Sequence, residues 1–217
     1  MVSSVEATPR PGSPSWETGE SWWSGTNLCI HTVFDSRAAL WPEATAAIHN
    51  GRSLDYGQLR RRSDALAMRL REAGVRHGDK VGVCGSRGLD ALVAFLGVLK
   101  SGAAYVALDD DSRPERRQAL AEDADIQVAV LLPGSVCRLR RLRTRVAIAP
   151  ILGHGAAHVG SSSWSETSES TAAQPTDRAY VTATSGSTGR PKAVAITHAG
   201  VVALAASDCV GTAATPA

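Results

Sequence analysis

The sequence predicts an α/β protein: a parallel, doubly wound sheet with flanking helices. Two observations carry this. Between residues 55 and 132, stretches with helical period alternate with short apolar runs, and a strand, helix, strand order leads to parallel pairing through crossovers. Those runs are apolar almost throughout rather than at every second position, the pattern of strands buried on both faces.

Residues 55–73 place Leu59, Leu66 and Leu70 on one side and Arg60, Arg61, Asp64, Arg71 and Glu72 on the other, with Gly74 as a stop, so they predict an amphipathic helix. Lys80–Cys84 reads as a strand. Leu89–Lys100 reads as an apolar helix, with Ser86 as its N-cap and Gly102 just past its end. Residues 103–108 predict a buried strand, Pro114–Asp123 a helix opened by proline, and residues 126–132 another buried strand. Further on, residues 180–182 and 194–197 read as strands on either side of a polar loop.

Two segments interrupt this order. Residues 1–27 are rich in Pro, Ser, Gly and Glu without hydrophobic period and are expected to form a flexible leader, which Trp16, Trp22 and Trp23 fit poorly. Residues 154–177, with six serines between Ser161 and Ser170, read as a polar linker inside a domain spanning 28–217.

Composition bounds the function. A chain of 217 residues with 43% hydrophobic content can bury a sizeable core. A net charge of +2 gives no global attraction to nucleic acid or membrane. The N-terminus has neither the basic nor the apolar region of a signal peptide, and the longest apolar run, 91–99, is too short to span a bilayer. Four scattered cysteines without a CxxC pair suit reduced thiols in a cytoplasmic protein.

The chemistry concentrates in Thr184, Ser185, Gly186, Ser187, Thr188, Gly189, Arg190, Pro191 and Lys192. Glycines let backbone N–H groups face an anion, hydroxyls add neutral donors and lysine adds a point charge, so the loop suits phosphate. It is not a Walker A loop, which needs four residues between its glycines and a lysine directly after the second. A plain Ser/Gly linker has similar composition, but the strands on both sides argue for a tight connection.

The stretch RAYVTATSGSTGRPKAVAITHAGVV resembles the signature phosphate loop of adenylate-forming enzymes, and among them the amino-acid adenylation domains of nonribosomal peptide synthetases. Ser53, Leu54, Asp55, Tyr56, Gly57, Gln58 and Leu59 resemble an earlier motif of that family. Residues 99–109, continued by Glu115 and Arg116, resemble a second. The resemblance runs from about Cys29 onward and implies the N-terminal part of the adenylate-forming fold. It departs at Ala193, where the family has glycine, and at Ala107, Asp110 and Arg113, where it often has proline.

The resemblance implies ATP with Mg²⁺, an amino acid or other carboxylate as substrate, and a phosphopantetheinyl carrier protein as acceptor. Thr184, Ser185, Gly186, Ser187, Thr188, Gly189 and Lys192 would hold the β- and γ-phosphates. His198 matches a position where the family often has histidine, and two readings stand: a residue lining the nucleotide or acyl pocket, or a helix-start residue facing solvent. The family's later motifs, with its metal-binding acid and catalytic lysine, are not found in this chain. It is therefore expected to act with the missing remainder of a synthetase and to be inactive alone. An acyl-CoA ligase fragment and a non-catalytic phosphate-binding or partner-packing remnant are the alternatives.

Smaller features have plainer readings. Arg138, Arg140, Arg141, Arg143 and Arg145 lack the interleaved aromatics of a nucleic-acid face and are expected on a solvated, partly helical surface. His154 and His158 have metal-pair spacing, but Gly155 opposes a helix and no acid accompanies them. Tyr56 and Tyr105 read as core residues.

Overall fold

The computed structural model describes residues 28–148, 173–184 and 192–206. The expected leader, His154, His158 and most of the polar linker lie outside the described residues. The end of that linker is a tied turn: the Gln174 N–H donates to the Asp177 carboxylate at 2.6 Å, and the Ala199 N–H donates to the Pro175 carbonyl at 2.8 Å.

Helix α1 (Ile30–Leu40) opens the described chain. A two-stranded antiparallel ribbon follows, β1 (Thr45–His49) and β2 (Arg52–Asp55). Asn50 and Gly51 turn it with φ of 49° and 71°, the left-handed pair that matches the twist of a tight hairpin. Asp55 then caps α2 (Tyr56–Glu72) through a capping box: its carboxylate accepts from the Gln58 N–H at 2.6 Å while the Gln58 side chain accepts from the Asp55 N–H.

The main sheet has six strands in the order β6, β5, β3, β4, β7, β8. They are β3 (Lys80–Cys84), β4 (Ala104–Leu108), β5 (Val128–Leu131), β6 (Thr144–Ala147), β7 (Arg178–Thr184) and β8 (Lys192–Thr197). The first five in that spatial order are parallel, as expected. The edge strand β8 is not: it returns antiparallel to β7, because a connection of seven residues makes a hairpin and is too short for a crossover.

The crossover helices are α3 (Leu89–Lys100) and α4 (Pro114–Asp123), and α5 (His198–Ala206) follows β8. Helix α3 begins at Gly88 with no side-chain cap, so the N-cap expected at Ser86 is not formed. Its apolar face needs no cap to stay docked, because the helix buries eight residues.

Both faces of the sheet are covered, which is why its strands read as continuously apolar. On one face Val81, Val83 and Val130 pack with Leu66, Leu70, Ala91, Ala94 and Val98 of α2 and α3. On the other Cys84, Val106, Leu108 and Ala129 pack with Ala121 and Ala124 around α4. Helices α2 and α3 approach so closely that a Cβ on Gly97 would lie 2.7 Å from a Leu66 methyl carbon and 2.9 Å from its Cβ. Tyr105 stacks between Phe95 and Tyr180, with ring centroids 4.3 and 5.4 Å away, and Tyr56 packs against Phe34 at 5.9 Å; both are half-buried rather than sealed in the core, with Tyr105 packed against its margin.

The arginine run differs from the expectation in conformation. Arg138, Arg140, Arg141 and Arg143 lie on a non-helical connection, and Arg145 is in β6. All five are exposed, while Leu139 turns inward to the core at 5% exposure, so the run is a solvated extended segment rather than a helix.

Candidate functional site

Strands β3, β4, β5, β6 and β7 run the same way, so their carboxyl ends share one edge of the sheet. In open α/β sheets ligands bind along that edge. Thr184 ends β7 there, and Lys192 begins β8 directly across from it, the terminal pair of a register running Tyr180 to Ile196, Val181 to Ala195, Thr182 to Val194 and Ala183 to Ala193. Residues 185–191, with Ser185, Gly186, Ser187, Thr188 and Gly189, lie outside the described residues, but both their anchors are placed. The pairing holds the ends of the loop one strand spacing apart, about 5 Å.

His198 is not brought to this loop. It follows β8, six residues beyond Lys192, which puts it about 20 Å away at the opposite edge. It does begin a helix but does not face solvent: it is 1% exposed, its Nδ1 accepts from the Ile30 N–H at 3.3 Å, and its ring meets His31 edge-on at 5.3 Å. Burial holds its pKa below the ordinary value, against the opposing charge of Asp177. His31 is pushed down further, to about 4, by burial and then by its positive neighbours His198, Lys100 and Arg71.

That opposite edge contains contacts that no local pattern announces. The Lys100 ammonium, 6% exposed, lies 2.7 Å from Asp35 and 2.6 Å from Asp64, tying α3 to α1 and α2. Arg71 donates to the Lys100 carbonyl. Asp177 meets His77 at 2.8 Å, and the His198 N–H donates to the Asp177 carbonyl at 3.1 Å. The Cys29 thiol donates to the Ala173 carbonyl at 3.1 Å. Partners 65, 100 and 144 positions apart meet here, so only tertiary structure could reveal them.

Nearer the loop, Asp110 and Arg117 form an ion pair at 3.5 Å with both side chains largely buried, and Arg117 also donates to the carbonyls of Asp109 and Asp110. Arg87 pairs with Asp109 at 3.3 Å. These pairs organise the carboxyl edge beside β3 and β4. Among the described residues no group of three or more His, Cys, Asp or Glu is placed to hold a metal ion. No helix among them is long and apolar enough to cross a membrane.

The donor set of the loop, hydroxyls with Arg190 and Lys192 and no carboxylate, fits a polyphosphate, and its anchors lie on the edge where an open α/β fold takes ligands. The fold is an α/β sheet of the adenylate-forming type. Residues 34–215 match the AMP-binding enzyme family, and the chain belongs to it.

Relatives agree. The chain is 37% identical over 195 residues to a linear gramicidin synthase of Brevibacillus parabrevis, covering 87% of itself and 4% of that protein. It is 33% identical over 183 residues to polyketide synthase PksN of Bacillus subtilis, covering 82% of itself and 3% of that protein. The chain thus spans only a few per cent of the length of these curated relatives. Among solved structures, the nonribosomal peptide synthetase FmoA3 in its AMPPNP-bound form superposes with a TM-score of 0.66 at 27% identity, over 87% of this chain and 19% of that one. The N-terminal subdomain of Klebsiella oxytoca NpsA shares the fold, with a TM-score of 0.67 at 21% identity over 83% of this chain and 44% of that one.

Proposed function

We propose that this chain is the N-terminal, phosphate-holding part of an amino-acid adenylation domain of nonribosomal peptide synthesis. The observation that carries the reading is the pairing of Thr184 with Lys192, which closes a hydroxyl-rich, glycine-containing loop at the carboxyl edge of the sheet. When bound, ATP supplies the α-phosphorus that the substrate carboxylate attacks, with pyrophosphate leaving.

The loop acts on the leaving end. Hydroxyls of Thr184, Ser185, Ser187 and Thr188 donate to β- and γ-phosphate oxygens, Gly186 and Gly189 allow the backbone to approach, and Lys192 offsets charge as it develops on pyrophosphate. His198 plays its part at a distance, fixing the junction of β8 and α5. Mg²⁺ would supply positive charge to a bound polyphosphate, but the described residues hold no cluster of His, Cys, Asp or Glu to bind it, so no step here rests on the ion. The acceptor is a phosphopantetheinyl carrier thiol, and the remainder of a synthetase is the natural partner.

Calorimetric titration of the chain with ATP and with pyrophosphate tests this. Lys192→Ala should weaken binding roughly tenfold or more, the loss of a charge-assisted hydrogen bond. Arg141→Ala, on the exposed connection into the far edge strand β6, should leave it unchanged. The reverse ranking would make the loop a linker and sink the proposal.

A further inference from the structure

We infer that the open edge of β6, with the arginines beside it, is a docking surface for an acidic, extended segment of a partner protein, which joins the sheet as a further strand. Strand β6 is the last strand on its side and pairs with β5 alone among the described residues. The Thr144 and Ile148 N–H groups donate to β5, at the carbonyls of Gln127 and Leu131. Successive residues of a strand point their backbone groups to opposite sides, so Val146 also faces β5, while Arg145 and Ala147 turn N–H and C=O outward. Unpaired backbone of this kind is a template for strand addition.

The side chains next to this edge form an ordered row. Val136, Arg138 and Arg140 are exposed with Cys137 and Leu139 buried between them, and Arg143, Arg145 and Ala147 are exposed around Thr144 and Val146, the alternation of extended chain. It shifts by one residue at the exposed Arg141, whose φ of 64° turns the backbone. Cys137, Leu139 and the half-buried Leu142 pack on the α4 face of the sheet, so the arginines lie outside that layer. The layer is fixed in place. The Arg140 N–H donates to the Gln118 side chain of α4 at 3.0 Å, and the Arg145 guanidinium donates to the Leu139 carbonyl at 3.1 Å, which brings the run alongside β6.

Charge decides what the edge takes. Elsewhere on this chain, exposed arginines find carboxylates: Arg60 lies 3.9 Å from both Asp35 and Asp64, and Arg87 lies 3.3 Å from Asp109. Arg138, Arg140, Arg141, Arg143 and Arg145 form no ion pair among the described residues. Five unneutralised cations between positions 138 and 145 complement a row of carboxylates and repel a second copy of the same edge. Nucleic acid fits less well. No aromatic side chain is interleaved with the arginines for a base to stack on, and a nucleic acid has no peptide backbone to complete the β6 ladder.

Fluorescence anisotropy of a labelled, blocked peptide of four Glu-Thr repeats, titrated with the full chain at low ionic strength, tests the surface. Saturable binding is expected, and it should weaken about tenfold or more in about 0.5 M salt or when Arg138→Ser, Arg140→Ser, Arg143→Ser and Arg145→Ser are combined. Ala147→Pro removes an outward N–H without changing charge, a substitution that an edge strand tolerates, and it should cost about tenfold or more as well. The same peptide N-methylated at alternate residues cannot pair with a strand and should bind the unaltered chain about tenfold or more weakly, which keeps the test independent of how Ala147→Pro folds. Absence of saturable binding, equal binding of a Lys-Thr peptide, or full affinity of the N-methylated peptide would each overturn the assignment. So would tighter binding of a single-stranded oligonucleotide of the same charge.

Discussion

The two edges of the main sheet are built on opposite plans. The amino edge is bound by long-range polar contacts: Lys100 to Asp35 and Asp64, Asp177 to His77, His198 to Ile30. The carboxyl edge presents strand ends, with Thr184 and Lys192 in register. Hairpin β7–β8 belongs to both, its base fastened among histidines and its tip carrying the loop proposed to hold phosphate. The difference teaches that the position of the loop is set from the far end of its own strands. Damage at the base should cost stability, and damage at the tip should cost binding alone.

The strongest test is Lys100→Ala. It leaves two half-exposed carboxylates without their cation, a change that costs about 2 to 3 kcal/mol where only the lysine is buried. Urea unfolding should show the shift, and a variant as stable as the parent would break the contrast between the edges. Asp177→Ala removes the acceptor for the Gln174 N–H and His77 at the hairpin base, an expected loss of about 1 to 3 kcal/mol. If it also weakens ATP binding while secondary structure is kept, the base does position the tip.

Acid should act on the amino edge as well. The unfolded chain takes a proton on His31 near its ordinary 6.5, but the folded chain resists until about 4, so stability is full above 6.5 and is lost as pH falls through that window. The lowered pKa of His198 works in the same direction. Asp177 is lowered from 3.8, mainly by the Gln174 N–H, so its contribution is lost only as pH falls below that value. Thermal midpoints across this range should fall with pH, and His31→Gln should flatten the slope. An unchanged slope would remove His31 from the account. The smallest stability effect belongs to the tip: Lys192→Ala should move the urea midpoint by less than about 0.5 kcal/mol, although it weakens nucleotide binding. A large loss of stability would mean that the tip, too, is part of the framework.

Where local pattern and tertiary demand agree, the sequence is legible. The bounds of β3, α3 and α4 follow from apolar runs, the stop at Gly102 and the proline at position 114. Helix α1 is not legible, because only Ala38 in it is buried, leaving no apolar stripe to show a period. Strand β6 is hidden under arginines, whose exposed side chains mask the inward Val146. The chemistry proposed for residues 184–192 rests on residue types alone. That its partner strand runs antiparallel, and that His198 is consequently carried to the opposite edge, depends on strand pairing that no local signal encodes.

The capping box at Asp55 lies inside the first stretch that resembles the family. Its Asp and Gln are engaged with each other's backbone, and the leucines on either side, Leu54 and Leu59, are sealed in the core around α2. A stretch of this kind works as punctuation: it tells the chain where a ribbon ends and a helix begins. Proteins that share it enter the fold by the same door, whatever they later do inside. The substrate vocabulary is written elsewhere, so a descendant could lose every phosphate donor and still spell this junction correctly.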